Sequence, residues 1–448
     1  MRKLLLLLSL VAVVLAALLT FELRRRDAEA WSTDSPAALA AFKRGLQAYM
    51  HLYGEDASRE FEAALAADPG FLAPHFFLLG RGRGRGHGDE HAAAIRAADP
   101  NALRPRERYL AAYFRAVVDH DEEGEGRAVA TYLAARPRDP WALHLAAVRA
   151  WNQGEWGRAE ELYERLVKAD PNWVLAHNHL GYLAMGQGRF ADAEARFRTY
   201  AFVAPDQANP HDSLGELLVL RGRYDEAREE LERALALRPD FCSSYRNLLR
   251  AVLFADQPEE AGAILDRARA HCPEPLVAAL SCQVAAWVAL RDDAAAAFWP
   301  RSGEECPRAP APLDLLRFRL ALIAGDREAV AAQLLAVSAL VGADPEQATF
   351  GAAGTPLAAR LHMTALVALA AGQPAMASEG LRRADENLLY FGPLGGGTFK
   401  LFNRAVLAFA LDRSGRHGEA VALREEIAAV NPKLAAFFDT ELVAVPGP

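Results

Sequence analysis

Two groups of titratable side chains in this sequence have the residue types and spacing of a reactive centre. The first is Gly86-His87-Gly88-Asp89-Glu90-His91, where His87 and His91 stand one helical turn apart with carboxylates between them, a spacing at which two imidazoles can share a metal ion. The plainer reading, and the expectation, is a solvated loop entering a helix, with Asp89 and Glu90 near its start where the dipole favours negative charge. The Arg-Gly alternation directly before it, at Arg81, Arg83 and Arg85, offers guanidinium groups to a phosphate or an acidic peptide. Glycine at every second position makes a regular helix costly there, so a flexible polar loop is expected. The second group is His177, His179 and His211, for which partly buried structural histidines are expected, because two of them share one position of the repeat described below.

Beyond these groups the sequence holds no Gly-x-Ser-x-Gly elbow, no phosphate-binding loop of the Walker type, no His-Glu-x-x-His and no paired Cys-x-x-Cys. Catalytic groups can converge from distant positions, but nothing here nominates any. The expectation is a binding protein rather than an enzyme, with no catalytic residue, no metal ion and no cofactor.

The elements that would position these side chains follow from a fixed interval. Prolines recur at Pro137, Pro171, Pro205, Pro239 and Pro273, each 34 residues after the last, and a period of that length is the mark of a helix-turn-helix unit copied in series. The copy from Leu180 to Pro205 aligns without a gap on the copy from Leu214 to Pro239. Gly181 and Gly215 would let the second helix of each unit approach closely, since they carry no Cβ. Gly188 and Gly222 supply the turn, Phe190 and Tyr224 open the return helix, and Ala193 and Ala227 are its small contact points. Phe197 and Leu231 follow one helical turn later on the same face, where they should plug the space between helices. The proline then ends the helix, because it lacks an amide hydrogen and clashes with the preceding turn.

This pattern resembles the tetratricopeptide repeat family. The copy ending at Pro171 fits through Gly154, Trp156, Ala159 and Tyr163, with Ala146-Ala147 in place of Leu-Gly. The copy ending at Pro273 fits through Tyr245, Leu248, Ala261, Leu265 and Ala268, with Gln257-Pro258 in place of the turn glycine and aromatic. Leu143, His177, His211 and Tyr245 fill the family's tryptophan position. The resemblance implies an all-α fold, a right-handed α-solenoid of about ten hairpins in which each unit buries itself against its neighbours.

It also implies a concave groove lined by the first helices. The positions are Trp141, His144, Val148 and Trp151, then Leu175, Asn178, Tyr182 and Met185, then Asn209, Asp212, Glu216 and Val219, then Ser243, Arg246, Arg250 and Leu253. Aromatic at one end and charged at the other, such a stripe suits an extended peptide or helix, with apolar anchors for affinity and charges for register. The basic pair resembles part of the carboxylate clamp of some family members, although Val148 stands where that clamp has a polar residue. The alternative is that Asp212 pairs with Arg246 and Glu216 with Arg250, one period apart, in which case exposed pairs would recruit nothing.

Cys242 and Cys272 fall at the same edge of one antiparallel hairpin and are the best candidates for a disulfide. Cys272 and Cys306 lie one period apart and too distant to bond. Cys282 aligns with Leu180 and Leu214, which predicts a small buried core residue. The count of cysteines leaves the redox compartment open.

Outside the regular array, residues 1–30 form a segment of their own. The apolar run that begins at Leu4 and ends at Phe21 is about 27 Å long as a helix, close to a bilayer's hydrocarbon thickness, with Arg2-Lys3 before it and Arg24-Arg25-Arg26 after it. A retained single-pass anchor in a membrane, a bacterial inner membrane, is expected; a cleaved signal ending near Ala28-Glu29-Ala30 is the alternative. Basic residues on both sides leave the orientation open. Residues 36–137 read as degenerate hairpins, since Ala57, Phe61, Ala64 and Pro69 sit three periods before Ala159, Tyr163, Leu166 and Pro171. Residues 138–273 are the regular array, 274–340 degenerate hairpins, and 341–448 helical hairpins with glycine-rich interruptions and a tail. The net charge of −8 argues against nucleic-acid binding, which needs a basic face.

The function expected is therefore a membrane-tethered scaffold that binds a protein or peptide in its groove. The alternatives are a regulatory subunit of a membrane enzyme or transporter, and an extracytoplasmic module binding a glycan or small ligand through Trp141, Trp151 and Tyr182.

Overall fold

The computed structural model describes residues 31–79, 88–292, 294–298, 315–341, 354–391 and 397–438. Every regular element among them is helical. The helices are α1 Pro36–Met50, α2 Gly54–Ala67, α3 Ala73–Leu78, α4 Gly88–Ala97, α5 Pro105–Val118, α6 Glu122–Ala135, α7 Pro140–Asn152, α8 Trp156–Ala169, α9 Val174–Gly186, α10 Phe190–Val203, α11 Ala208–Leu220, α12 Tyr224–Leu237, α13 Cys242–Phe254 and α14 Ala261–His271. They continue as α15 Glu274–Arg291, α16 Ala295–Phe298, α17 Leu315–Ile323, α18 Arg327–Leu340, α19 Gly354–Ala370, α20 Pro374–Glu386, α21 Gly397–Arg413, α22 His417–Val430 and α23 Pro432–Phe438. The apolar run from Leu4 to Phe21 and the Arg81 to Arg85 alternation lie outside the described residues, as do His87 and Cys306. Among the described residues no helix is long and apolar enough to cross a membrane.

The 34-residue interval becomes helix boundaries. First helices begin at Pro140, Val174, Ala208 and Cys242, and return helices at Trp156, Phe190 and Tyr224. The same register reaches back to α2 and α6, which begin at Gly54 and Glu122. A second ladder was not legible beforehand. His120, Gly154, Gly188, Gly222 and Asp256 follow one another at the repeat interval and all have positive φ, from 55° to 76°. The turn needs a left-handed residue at this point, and where glycine is missing a histidine or an aspartate adopts it. In the copy ending at Pro273, therefore, Asp256 supplies the left-handed turn residue, directly before Gln257-Pro258.

In three hairpins a glycine of the first helix meets a large side chain of the return helix. A Cβ on Gly181 would stand 2.3 Å from the Phe197 ring, one on Gly215 2.6 Å from Leu231, and one on Gly45 2.6 Å from Phe61. Phe197, Leu231 and Phe61 are all fully buried, so none can move aside without opening the core.

The helices group into two compact units. One holds the described residues up to Arg149 together with Lys168–Leu175; the other holds Ala150–Val167 and the described residues from Ala176 onward. The first is centred on aromatic rings. Phe42 packs on Trp31 at 4.7 Å, on Phe71 at 5.0 Å and on Phe61 at 5.6 Å, and Trp141 packs on Phe77 at 5.4 Å and on Trp173 at 4.9 Å. His91 of α4 meets His75 of α3, their Nδ1 atoms 2.8 Å apart, and burial first, then His91, lowers His75 to about 4.

The second unit departs from the expectation that hairpins bury themselves only against neighbours. Its C-terminal hairpins return to the turns that follow α9 and α11. The Asn431 side chain is fully buried, donates to the Val219 carbonyl at 3.3 Å and to the Tyr224 hydroxyl at 3.1 Å, and accepts from the Leu434 amide at 2.9 Å. Upstream, the Tyr390 amide donates to the Gly186 carbonyl at 3.4 Å, and a Cβ on Gly186 would strike the Phe391 ring at 2.5 Å. Close approach at these two turns, permitted by glycines, gives one buried cluster that runs from Ala184 to Leu434.

Cys242 and Cys272 are bonded, with Cα atoms 5.9 Å apart, at opposite ends of the α13–α14 hairpin. Cys282 is buried in an apolar cluster with Ala286, Leu290 and Leu320, as expected, and is in addition disulfide-bonded. Its alignment with Leu180 and Leu214 concealed this, because α15 extends for 18 residues and no longer follows the repeat.

Gly181→Ala is expected to lower stability by about 1–2 kcal/mol, because overpacking outweighs the gain in helix propensity. Gly157→Ala, where a Cβ meets nothing within 4 Å, is the control and should be neutral or stabilising. Urea denaturation followed by far-ultraviolet circular dichroism measures both.

Candidate functional site

The stripe of first-helix residues is the candidate site, and its two ends have different fates. In the first unit Trp141, His144 and Leu175 are buried. Trp141 lies in an aromatic cluster with Trp31 at 6.5 Å, His144 at 6.0 Å and Trp173 at 4.9 Å, and Val148 is half-buried. Trp141 therefore offers no open ring face for a sugar.

In the second unit the aromatic positions are filled by the chain itself. Phe391 places its ring 5.2 Å from Trp151, 5.9 Å from Tyr182 and 6.3 Å from Trp156. Met185 is fully buried. Nothing in the repeat pattern singled out Phe391, which lies between helices, directly before a glycine-rich stretch without periodicity.

The polar positions form two hydrogen-bonded groups, one across α9 and α11 and one across α11 and α13. The Tyr182 hydroxyl donates to Glu216 Oε2 at 2.8 Å, and Ser213 Oγ donates to Asn178 Oδ1 at 3.2 Å. Asp212 Oδ1 accepts from Ser244 Oγ at 2.8 Å and from Asn247 Nδ2 at 3.2 Å. Arg250 in turn donates to Asn247 Oδ1 at 3.3 Å. Ser213, Ser244 and Asn247 are buried and were missed by sequence reasoning. The available signal was that Ser213 and Asn247 stand one period apart, both polar in otherwise apolar helices.

The expected pairing of Asp212 with Arg246 and of Glu216 with Arg250 is absent among the described residues. The carboxylates take neutral donors from the neighbouring helix instead, because Ser244 and Asn247 lie deeper than the arginines and reach Asp212 first. Arg246 is exposed and Arg250 half-buried. Burial, then the Glu216 charge, pushes the Asp212 carboxyl up to about 6. Burial, with Glu216 beside it, holds the Tyr182 phenol well above its ordinary value. Burial lowers Arg250 to about 10, with Arg246 adding repulsion and Glu216 opposing it.

The histidines do not gather. His177 is buried, His179 stacks on Tyr163 at 4.7 Å, and His211 Nδ1 lies 2.6 Å from Glu230. Among the described residues no group of three or more His, Cys, Asp or Glu side chains is placed to hold a metal ion.

These features define an α-helical repeat protein whose first helices carry a polar ladder. The comparisons then give the kind of repeat. Profiles of the tetratricopeptide repeat match residues 144–213, 184–252 and 218–281, so the repeat assignment is supported over that stretch. No curated protein sequence matches the chain. Among solved structures, PilW, described as a widely conserved type IV pilus biogenesis factor, is 18% identical over 44% of this chain and 92% of that chain, with a TM-score of 0.37. The pilF protein of Pseudomonas aeruginosa is 18% identical over 47% of this chain and 94% of that one, TM-score 0.37. The APC/C hetero-tetramer Cut9–Hcn1 is 13% identical over 90% of this chain and 76% of that one, TM-score 0.44. At these identities and scores, nothing about partner or assembly carries over from them.

The raised Asp212 value has a stability consequence. A carboxyl whose pKa is higher folded than unfolded is destabilising once ionised, so stability should fall as pH rises from about 4 through about 6. Asp212→Asn is expected to gain roughly 1–2 kcal/mol at pH 7, with the gain shrinking below pH 4. Denaturation midpoints across that range measure it.

Proposed function

We propose that this chain is a tethered scaffold that binds the acidic segment of a protein or peptide partner, with no covalent step. Tetratricopeptide repeats bind protein partners in general. The observation that carries the more specific reading is that Arg246 and Arg250, adjacent on the accessible part of the ladder, form no ion pair among the described residues while the nearby carboxylates are occupied by neutral donors. Two guanidinium groups one helical turn apart, with Asp212 partly neutral near pH 6, leave a positive spot suited to carboxylates. The aromatic end is closed by Phe391, so affinity would come from charge and register rather than from ring anchors.

The tether would be the apolar run from Leu4 to Phe21, flanked by Arg2-Lys3 and Arg24-Arg25-Arg26. A membrane anchor raises the effective concentration of the scaffold at the surface, so a modest groove affinity suffices. The bonded Cys242, Cys272 and Cys282 support an oxidising setting for the folded part, because structural disulfides are rare where glutathione and thioredoxin keep thiols reduced. The scaffold would therefore face the extracytoplasmic side.

A photo-crosslinking side chain placed at Ser243 in intact cells should capture a discrete protein. Arg246→Glu with Arg250→Glu should abolish that capture and weaken binding of the purified partner about tenfold or more. Capture that survives the charge reversal would refute the acidic-partner reading. Separately, Cys242 and Cys272 should resist thiol alkylation in intact cells until a reductant is added. Immediate alkylation would place the folded part in a reducing compartment.

A further inference from the structure

The Phe391 ring sits at the aromatic end of the stripe without belonging to the array. It ends the described segment 387–391, which follows α20, forms no helix and precedes α21 in the chain. Its neighbours are Trp151 of α7 at 5.2 Å, Tyr182 of α9 at 5.9 Å and Trp156 of α8 at 6.3 Å, all within the second unit. Helix α9 makes room for it. Gly186 stands at the repeat position that Asn152, Leu220 and Phe254 fill in other copies. A Cβ there would come within 2.5 Å of the Phe391 ring, so the ring rests directly on the α9 backbone. Three rings around a slot bared by glycine form a pocket for a flat side chain.

Two observations separate this ring from the core. Phe61 and Phe197, which plug hairpins, are fully enclosed. Phe391, Trp151, Trp156 and Tyr182 are each only half-buried, so the pocket stays within reach of solvent with the ring in place. The directional ties are also one-sided. Toward its own hairpin the segment is held by Lys400 Nζ, which donates to the Leu388 carbonyl at 2.8 Å, and by Arg404 Nη1, which donates to the Tyr390 hydroxyl at 2.9 Å. Toward α9 there is one hydrogen bond among the described residues, from the Tyr390 amide to the Gly186 carbonyl at 3.4 Å, beyond the usual range. The Phe391 side chain itself rests on ring contacts. Such contacts are non-directional, so a second ring can take the place of the first.

We propose that this pocket is the anchor site for a phenylalanine or tyrosine side chain of the protein partner, and that Phe391 is an internal occupant which the partner's ring displaces. The inference rests on the groove being the partner's site, and adds to its charged end an aromatic residue that the partner must carry. The present occupant argues for a ring, because it is held by three others at separations that aromatic pairs favour. With Phe391 seated, the chain offers only the polar end of the stripe. With Phe391 displaced, the partner gains an apolar anchor, which lengthens its residence. Because Phe391 is tethered, it competes at an effective concentration that an incoming segment must exceed. The plug thus discriminates against segments that carry charge without a ring.

Fluorescence anisotropy of the full chain in detergent tests this with a fluorescein-labelled neutral peptide, Gly-Ser-Gly-Ser-Phe amide, and the same peptide ending in alanine. A labelled peptide cannot enter a closed core. The phenylalanine peptide should bind Phe391→Ala saturably and the unaltered chain about tenfold or more weakly, because the tethered ring keeps the pocket filled in most molecules. The alanine peptide should bind neither. Adding Gly186→Leu to Phe391→Ala refills the slot with the residue of the next copy and should abolish binding. Equal affinity of the two chains, equal affinity of the two peptides, or no saturable binding to Phe391→Ala overturns the proposal. So does a Phe391→Ala chain that has lost its helical circular dichroism, since a ring required for folding cannot yield its place to a partner. Arg246→Glu with Arg250→Glu should leave these neutral-peptide titrations unchanged, so failure of the pocket and failure of the charged groove are told apart.

Discussion

Three of the hairpins rest on one steric constraint, a missing Cβ in the first helix. Gly45, Gly181 and Gly215 each face a fully buried side chain at a distance no real Cβ could occupy. Glycine inside a helix costs about 1 kcal/mol relative to alanine, so its presence at the same position of several copies means that close helix approach recovers more than that. The left-handed turn does not depend on that glycine, since positive φ persists at His120 and Asp256 in hairpins that carry Tyr113 and Leu249 at the glycine position. The backbone demand outlives the residue that meets it most easily.

The fold was legible where it is periodic. Helix starts at Pro140, Val174, Ala208 and Cys242 follow the proline interval, and the Cys242–Cys272 bond follows from the antiparallel geometry of one hairpin. What escaped is what periodicity cannot encode. Asn431 reaches Val219 across 212 residues, and Phe391 covers Trp151 and Tyr182 from a segment with no repeat of its own. Equally hidden was Arg319, buried on α17. It sits in LLRFRLALI, beside an arginine of similar context, and which of the two is enclosed depends on which helices surround α17. The bond of Cys282 was hidden for a related reason, since its alignment with core leucines accounts for its burial alone.

The candidate site was legible by position but not by state. Stepping by 34 residues named Tyr182 and Glu216, which hydrogen-bond to each other, and Asp212 and Arg250, which both bond Asn247. It could not say that Trp141 and Met185 would be enclosed while Arg246 stayed open. In a regular solenoid the first-helix stripe is solvent-facing by construction. Here the return of the C-terminal hairpins closes its apolar part within the second unit, which removes the large hydrophobic surface a long-lived partner would otherwise bury.

That closure bears on the kind of recognition left to the chain. Interfaces built on aromatic anchors gain most of their affinity from desolvated rings, and such rings are already desolvated here by Phe391. The accessible remainder is polar: a half-buried Tyr182, Glu216 and Arg250 and an exposed Arg246. Charge at a rim contributes more to the rate and selectivity of encounter than to its lifetime. On the function proposed above, such a scaffold would hold a partner briefly and selectively unless something else raised its local concentration. The basic-flanked apolar run from Leu4 to Phe21 would supply that, so that groove and tether would act as one binding device.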